Sequence, residues 1–203
     1  MKIYEYKAFP HPRRVRMFLV EKNINAEYVQ VDVPAGEHKQ EPFISKNPDG
    51  AVPFLELDCG TCVSETLSIC RYFEEANPNN PLLGITPKEK AVIDMWLRRI
   101  DGTLMNTTSS YFHHATDGLG DEGRYRNKDW GQRNLSMLKT GLQDLNAHLT
   151  DKDFIVNNSF SLVDITALCA LDFALFLEIV SLDEHANVKR WYDSVSGRPS
   201  AAA

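Results

Sequence analysis

Apolar and polar positions change period several times along the first part of the chain. Ile3 and Tyr4 to Tyr6 predict a first strand. Ala8 to Pro12 is a loop in which Pro10 and Pro12 flank His11, and Pro12 suits an early helical position. Val15, Phe18 and Leu19 recur at helical spacing as far as about Lys22, and Asn23 ends that helix. Ala26 to Val33 is a second strand, carried by Tyr28, Val29 and Val31. Gly36 to Lys46 is short and polar, helical or irregular. Pro48-Asp49-Gly50 is a turn, because Gly tolerates positive φ and Asp can bond its own backbone. A short apolar run, a second turn at Asp58 to Gly60 and a strand of two or three residues follow. A helix from about Thr66 to Ala76 then presents Ile69, Cys70, Phe73 and Ala76 on one face.

The order βαβ, irregular helix, ββα is a thioredoxin-like arrangement. Residues 77–87 are linker-like, rich in Asn and Pro. Beyond them the strand patterns stop. Thr86-Pro87-Lys88-Glu89 is a capping box with Pro at the first helical position. Ile93, Leu97, Ile100 and Leu104 mark one face of a long helix. Ala115 to Trp130, with Gly118, Gly120 and Gly123, reads as a mobile loop, with the next helix starting inside or after it. Leu135, Leu138, Leu142, Leu145 and Leu149 stripe the next helix. Ser161 caps another, with Asp164 reaching back to it and Phe160 and Ile165 as a hydrophobic staple. That helix, Leu162 to Val180, is apolar almost all round; Asp164, Asp172 and Glu178 favour a buried core helix over a membrane span. Val188, Trp191 and Val195 mark the last helix. The domains read as 1–77, a linker at 78–87, and an all-α domain over 88–203.

With 203 residues the chain has room for one large domain or two small ones. A formal net charge of -6 argues against nucleic acid as the main partner. Met1 to Tyr6 lacks the apolar core of a signal peptide, which predicts a cytoplasmic protein. The four cysteines, at 59, 62, 70 and 169, form no disulfide framework and fit a reducing compartment.

The segment from Asn47 to Phe73 carries the candidate chemistry. Pro53 opens a strand, where its missing N–H matters least. A cis Val52-Pro53 bond would turn the Val52 backbone groups outward, ready to pair with an extended peptide. The N–H groups at the helix start behind Glu65 and Thr66 suit a carboxylate, and a neighbouring Glu can hold an ammonium. Singly, these features read as an edge proline and a helix cap. Together, in this order, they resemble the glutathione-binding core of the cytosolic glutathione transferases, and the resemblance extends over nearly the whole chain. It implies a thioredoxin-like N-terminal domain followed by an all-α domain. It also implies pairing of Val52, ahead of Pro53, with the cysteinyl backbone of glutathione, and a γ-glutamyl end held by Glu65 and Thr66.

Gly36-Glu37-His38-Lys39 is similar to a segment in theta- and delta-like members. This implies that His38, with Lys39 as a second candidate, meets the glycyl carboxylate; a solvated loop histidine is the other reading. Arg13-Arg14-Val15-Arg16 resembles the start of the first helix in zeta-like and many bacterial members, where cations suit glutathione's anionic ends. Arg13 enters the glutathione set on that ground, whereas Arg14 and Arg16 read better as a solvated or domain-bridging face. The family's thiol-activating Tyr, Ser or Cys has no counterpart in Lys7-Ala8-Phe9-Pro10-His11-Pro12, and Tyr4 and Tyr6 come too early. What remains is His11, the amides of His11 and Arg13, and the helix dipole. Cys59-Gly60-Thr61-Cys62 looks like a redox pair, but it lies in a hairpin turn and not at a helix start. Trp96, Arg99 and Thr103, with Tyr111, Phe112 and His113, are candidates for an apolar second-substrate pocket between the domains. Trp96 reads equally as an interface residue.

The resemblance therefore implies an enzyme that takes glutathione as co-substrate, without a metal, and conjugates it to a small apolar electrophile. It also implies a homodimer, with no nucleic-acid or membrane partner. A glutathione-dependent peroxidase or disulfide reductase, and a non-catalytic binding or docking protein, are the alternatives.

Overall fold

The computed structural model describes residues 1–120, 125–156 and 159–203. The chain divides into two compact units, Met1–Leu82 together with Ala202–Ala203, and Leu83–Ala201.

The first unit is built on a four-stranded sheet in the order β2-β1-β3-β4. Its strands are β1 (Lys2–Glu5), β2 (Glu27–Gln30), β3 (Phe54–Glu56) and β4 (Cys62–Val63). β1 runs parallel to β2 and antiparallel to β3, and β3 is antiparallel to β4. The parallel pair is joined by α1 (Pro10–Glu21), as a parallel connection requires. Asn23 does end this helix: at φ 55 it is left-handed, and the amides of Asn23 and Ile24 bond the carbonyls of Val20 and Leu19. This is a Schellman stop with Asn in place of Gly. Helix α1 begins two residues before the predicted Pro12, with Pro10 in its first turn.

The two sheet faces follow from alternation. Tyr4 and Phe54 lie opposite one another and pack with Val31 and with Phe43 of α2 (Phe43–Lys46). Ile3 and Leu55, the next pair in register, are fully buried on the other face. Helix α3 (Thr66–Ala76), whose span matches the sequence reading, packs against α1. Residues 37–39 form a single 3₁₀ turn ahead of α2.

The second unit contains α4 (Pro87–Ile100), α5 (Asn106–Ala115), α6 (Lys128–His148), α7 (Leu162–Phe176) and α8 (Ala186–Ser196). The capping box of α4 forms as predicted: Glu89 N–H donates to Thr86 Oγ1 at 3.2 Å, and Thr86 N–H donates to Glu89 Oε2 at 3.0 Å. The single long helix expected here is interrupted. A π-type turn at Asp101–Met105 separates α4 from α5. At that turn α6 comes very close, since a Cβ on Gly141 would stand 2.9 Å from Thr103 Cβ. Only a glycine allows this approach.

Asp164 is the polar centre of this unit. Its Oδ2 accepts from the Ser161 N–H and hydroxyl, at 3.0 and 3.1 Å. Its Oδ1 accepts from Ile155 N–H at 3.0 Å and Trp191 Nε1–H at 2.9 Å. Helix α7 stops at Phe176, short of the predicted Val180. Glu178 takes φ 55, and the amides of Glu178 and Ile179 bond the carbonyls of Leu175 and Ala174. Of the loop read between Ala115 and Trp130, Gly118 and Gly120 sit at left-handed φ, and Asn127 Oδ1 caps α6 by accepting from Trp130 N–H. Gly123 lies outside the described residues. Among the described residues no helix is long and apolar enough to cross a membrane.

Candidate functional site

The β3–β4 hairpin sets the frame. Leu55 lies opposite Val63 and Glu56 opposite Cys62. β3 begins at Phe54, directly after Val52-Pro53, and β4 ends at Val63, two residues before the pair Glu65-Thr66. The two features singled out in the sequence thus stand at the same end of one hairpin. The Val52–Pro53 bond is cis. Val52 is half-buried, packed against the cluster of Tyr4, Val31, Phe43 and Phe54.

Glu65 precedes α3 with φ 66 and ψ 117. A non-glycine residue in this region carries about 1–3 kcal/mol of strain. Such strain persists only where surrounding structure imposes it, and it concentrates at ligand sites. Glu65 is exposed, while Thr66, the first residue of α3, is 7% exposed. The amides of the first α3 turn have no partner within the helix, so the start of α3 is suited to an anion.

The turn before Val52 is braced from within. Asn47 N–H donates to Phe43 O at 2.8 Å, and Gly50 N–H to Asn47 O at 2.9 Å. Asn47 Nδ2 donates to Ala51 O at 2.8 Å from a buried position. Gly50 has φ +57, and a Cβ there would lie 3.5 Å from the His38 carbonyl and 3.8 Å from Lys39 Cγ. His38 and Lys39 therefore back directly onto the turn that leads to Val52. His38 is buried at 8% exposure, which removes the solvated reading, and Lys39 is exposed. The buried brace by Asn47 was missed in the sequence, where only Pro48-Asp49-Gly50 was read as turn-forming.

At the start of α1, Phe9 is the N-cap, and His11 and Arg13 are half-buried. Arg13 N–H donates to Phe9 O at 3.2 Å as the first rung of the helix. The expectation that this amide is available to a thiol is therefore corrected, and with prolines on either side the first-turn amide belongs to His11. Tyr4 is accounted for on the α2 side of the sheet. Its hydroxyl donates to Glu56 Oε2 at 2.6 Å and accepts from Lys46 Nζ at 2.8 Å. Lys46 Nζ also donates to Glu56 Oε2 at 2.7 Å; that bond first, and then the one to Tyr4, pushes Lys46 up to about 12, and the same bond from Lys46 holds the Glu56 carboxyl below its usual range. Tyr6 packs edge-on against Phe9, with ring centroids 4.8 Å apart.

Two arginines depart from the sequence reading. Arg16 is buried inside its own unit, donating to Glu5 Oε2 at 2.5 Å and to Lys7 O at 2.8 Å. Arg14 is 2% exposed, and its Nη1 donates to Thr66 Oγ1 at 2.8 Å. Both are buried, so neither forms a solvated face. Cys59 and Cys62 are not in a disulfide. The Thr61 hydroxyl holds the Cys59 thiol low, and burial pushes Cys62 up.

The second-substrate candidates fall into separate contacts of the helical unit. Trp96 lies 4.1 Å from the His148 ring, with the Arg99 guanidinium 5.0 Å from the Trp96 ring. Thr103 donates to Arg99 O at 2.7 Å within the π-type turn. Phe112 meets His113 and, on α7, Phe173, at 5.2 and 5.3 Å. Tyr111 is half-buried. Among the described residues, no group of three or more His, Cys, Asp or Glu could hold a metal ion.

Comparison with known proteins gives a consistent picture. Residues 3–81 match the glutathione S-transferase N-terminal domain family, and residues 100–199 match the glutathione S-transferase C-terminal domain family. Glutathione S-transferase 2 of Saccharomyces cerevisiae is 38% identical, over 98% of this chain and 87% of its own length. The crystal structure of Gtt2 from Saccharomyces cerevisiae is similar with a TM-score of 0.94 at 38% identity, covering 100% of this chain and 99% of that one. A glutathione S-transferase domain-containing protein from Marinobacter aquaeolei VT8 is similar with a TM-score of 0.95 at 39% identity, covering 98% and 99%.

Proposed function

The chain belongs to the glutathione S-transferase family, and from that footing we propose how its own residues hold glutathione and present the thiol to an apolar electrophile. The γ-glutamyl carboxylate lies at the start of α3 against Thr66, and the γ-glutamyl ammonium is met by Glu65. The cysteinyl backbone pairs with Val52 ahead of Pro53. The glycyl carboxylate is taken by His38 and Lys39. The thiol lies at the first turn of α1, where His11 and the helix end stabilise the thiolate, and Arg13 adds positive charge. Attack by that thiolate on an electrophilic carbon forms the thioether and expels the leaving group or opens the ring. Trp96, Arg99, Thr103, Tyr111, Phe112 and His113 are the proposed sources of the second-substrate pocket.

One observation carries the reading. Glu65 is held at φ 66 at the head of α3, at the same end of the β3–β4 hairpin as the cis Val52–Pro53 bond. Homology to glutathione S-transferases supports conjugation over the peroxidase, disulfide-reductase and non-catalytic alternatives. A cytoplasmic homodimer belongs to the same proposal. The test is a turnover panel of aryl halides, epoxides, hydroperoxides and mixed disulfides with glutathione. Conjugation of an aryl halide or epoxide supports the reading; no glutathione-dependent turnover anywhere on the panel overturns it.

A further inference from the structure

Arg14 is a buried cation that the placement of glutathione above does not use. It is 2% exposed, and its Nη1 donates to Thr66 Oγ1 at 2.8 Å, joining α1 to the first residue of α3. A guanidinium has donors only. A hydroxyl that accepts from it must send its own proton in another direction. Elsewhere in the chain helical threonines send that proton back along the helix: Thr103, Thr107 and Thr116 donate to the carbonyls of Arg99, Thr103 and Phe112. Thr66 opens its helix, so no preceding turn offers such a carbonyl.

We propose that Arg14 is the positioning residue of the carboxylate site. It holds Thr66 as an acceptor so that the Thr66 O–H donates to the γ-glutamyl carboxylate. A donor polarised in this way by a cation is a stronger donor. The inference rests on the glutathione reading above, and it adds a residue that contacts the carboxylate only through another side chain.

The test compares two unreactive ligands by calorimetry. One is S-methylglutathione, and the other is its analogue with 4-aminobutyrate replacing the γ-glutamyl residue, which lacks only that carboxylate. Wild type is expected to prefer S-methylglutathione by about 10–100-fold, the scale of a hydrogen-bonded charge. Arg14→Met, which keeps the length of the stem, should cut the preference to about fivefold or less, as should Thr66→Val. The double variant should show little further loss, because the two act in series. A purely structural role would weaken both ligands equally and leave the preference intact, and that result overturns the inference. If Arg14→Met does not fold, Thr66→Val and Thr66→Ser decide: the first must lose the preference and the second keep it, and a Thr66→Val protein that keeps it also overturns the inference. A wild type with no preference overturns both the inference and the placement of the γ-glutamyl end, whereas a wild-type preference that survives Arg14→Met removes the inference alone.

Discussion

Lys22 and Glu74 form a buried node inside the first unit, and Lys22→Met should be among the most damaging substitutions there. The Lys22 side chain is fully buried and that of Glu74 is 7% exposed. The ammonium donates to Glu74 Oε2 at 2.8 Å and to the carbonyls of Asn79 and Asn80 at 2.7 and 3.3 Å. The other carboxylate oxygen accepts from Leu82 N–H at 2.9 Å. Methionine keeps most of the stem, so little packing is lost. It leaves a buried carboxylate without its cation and two carbonyls without a donor. Removing one member of a buried pair costs about 3–5 kcal/mol. Glu74→Gln alone sets an amide donor against the ammonium and should cost about 2–3 kcal/mol. In the double variant a neutral glutamine can still accept from Leu82 and donate toward Asn79, so the total should fall to about 1–2 kcal/mol. The single costs then exceed the double by more than about 3 kcal/mol, well outside the additivity of independent sites, which holds to within about 0.5 kcal/mol. Urea unfolding of the four proteins measures this coupling, and hydrogen exchange at Leu82 should speed up in Lys22→Met. Additive costs, or a Lys22→Met penalty below about 1 kcal/mol, would refute the reasoning.

Other outcomes follow from the same structure. Glu65→Gly should raise stability by about 0.5–1.5 kcal/mol, because glycine tolerates φ 66, while weakening glutathione binding; denaturation paired with titration checks whether the two effects oppose. Burial pushes the Asp164 carboxyl up to about 6 from 3.8 against four hydrogen bonds. A raised carboxyl contributes stability that is complete below the unfolded value and lost as pH rises through the folded one. Wild type should therefore lose up to about 3 kcal/mol between pH 4 and 7 from this group, and Asp164→Asn should remove that slope in pH-dependent unfolding. His11→Ala should move the pH–rate curve for conjugation upward by about one unit, or about 1.4 kcal/mol, and an unmoved curve would exclude the imidazole from activating the thiol.

The elements were legible because their signals are local. The 2-to-3.6 change of period, Thr86 with Glu89 and Ser161 with Asp164 all act within a few residues, and each forms as read. The end of α7 was not legible. Leu177, Ile179 and Val180 continue the apolar run, and the stop is made by Glu178 in a conformation where Gly or Asn would be expected. The π-type turn within the α4–α5 run was hidden for a similar reason, since Ile93, Leu97 and Ile100 ahead of it and Leu104 within it are all buried and keep one apolar spacing. At the candidate site, Glu65 and Thr66 could be found from their place ahead of an apolar helix. Arg14 could not be placed: three arginines within four positions read as a wet helix start, and the partner that buries Arg14 lies 52 residues away. Arg16 was misread in the same way, because Glu5, its partner, sits in a strand pattern that gives no sign of a buried charge.

Calorimetric titration of glutathione into wild type and Glu65→Ala tests the central claim, that the head of α3 beside the cis Val52–Pro53 bond is where glutathione sits. The account predicts saturable one-to-one binding to wild type and at least tenfold weaker binding to Glu65→Ala, the loss of one charge-assisted contact at about 1.5–3 kcal/mol. Equal affinity in the two folded proteins, or no binding to wild type, would contradict it.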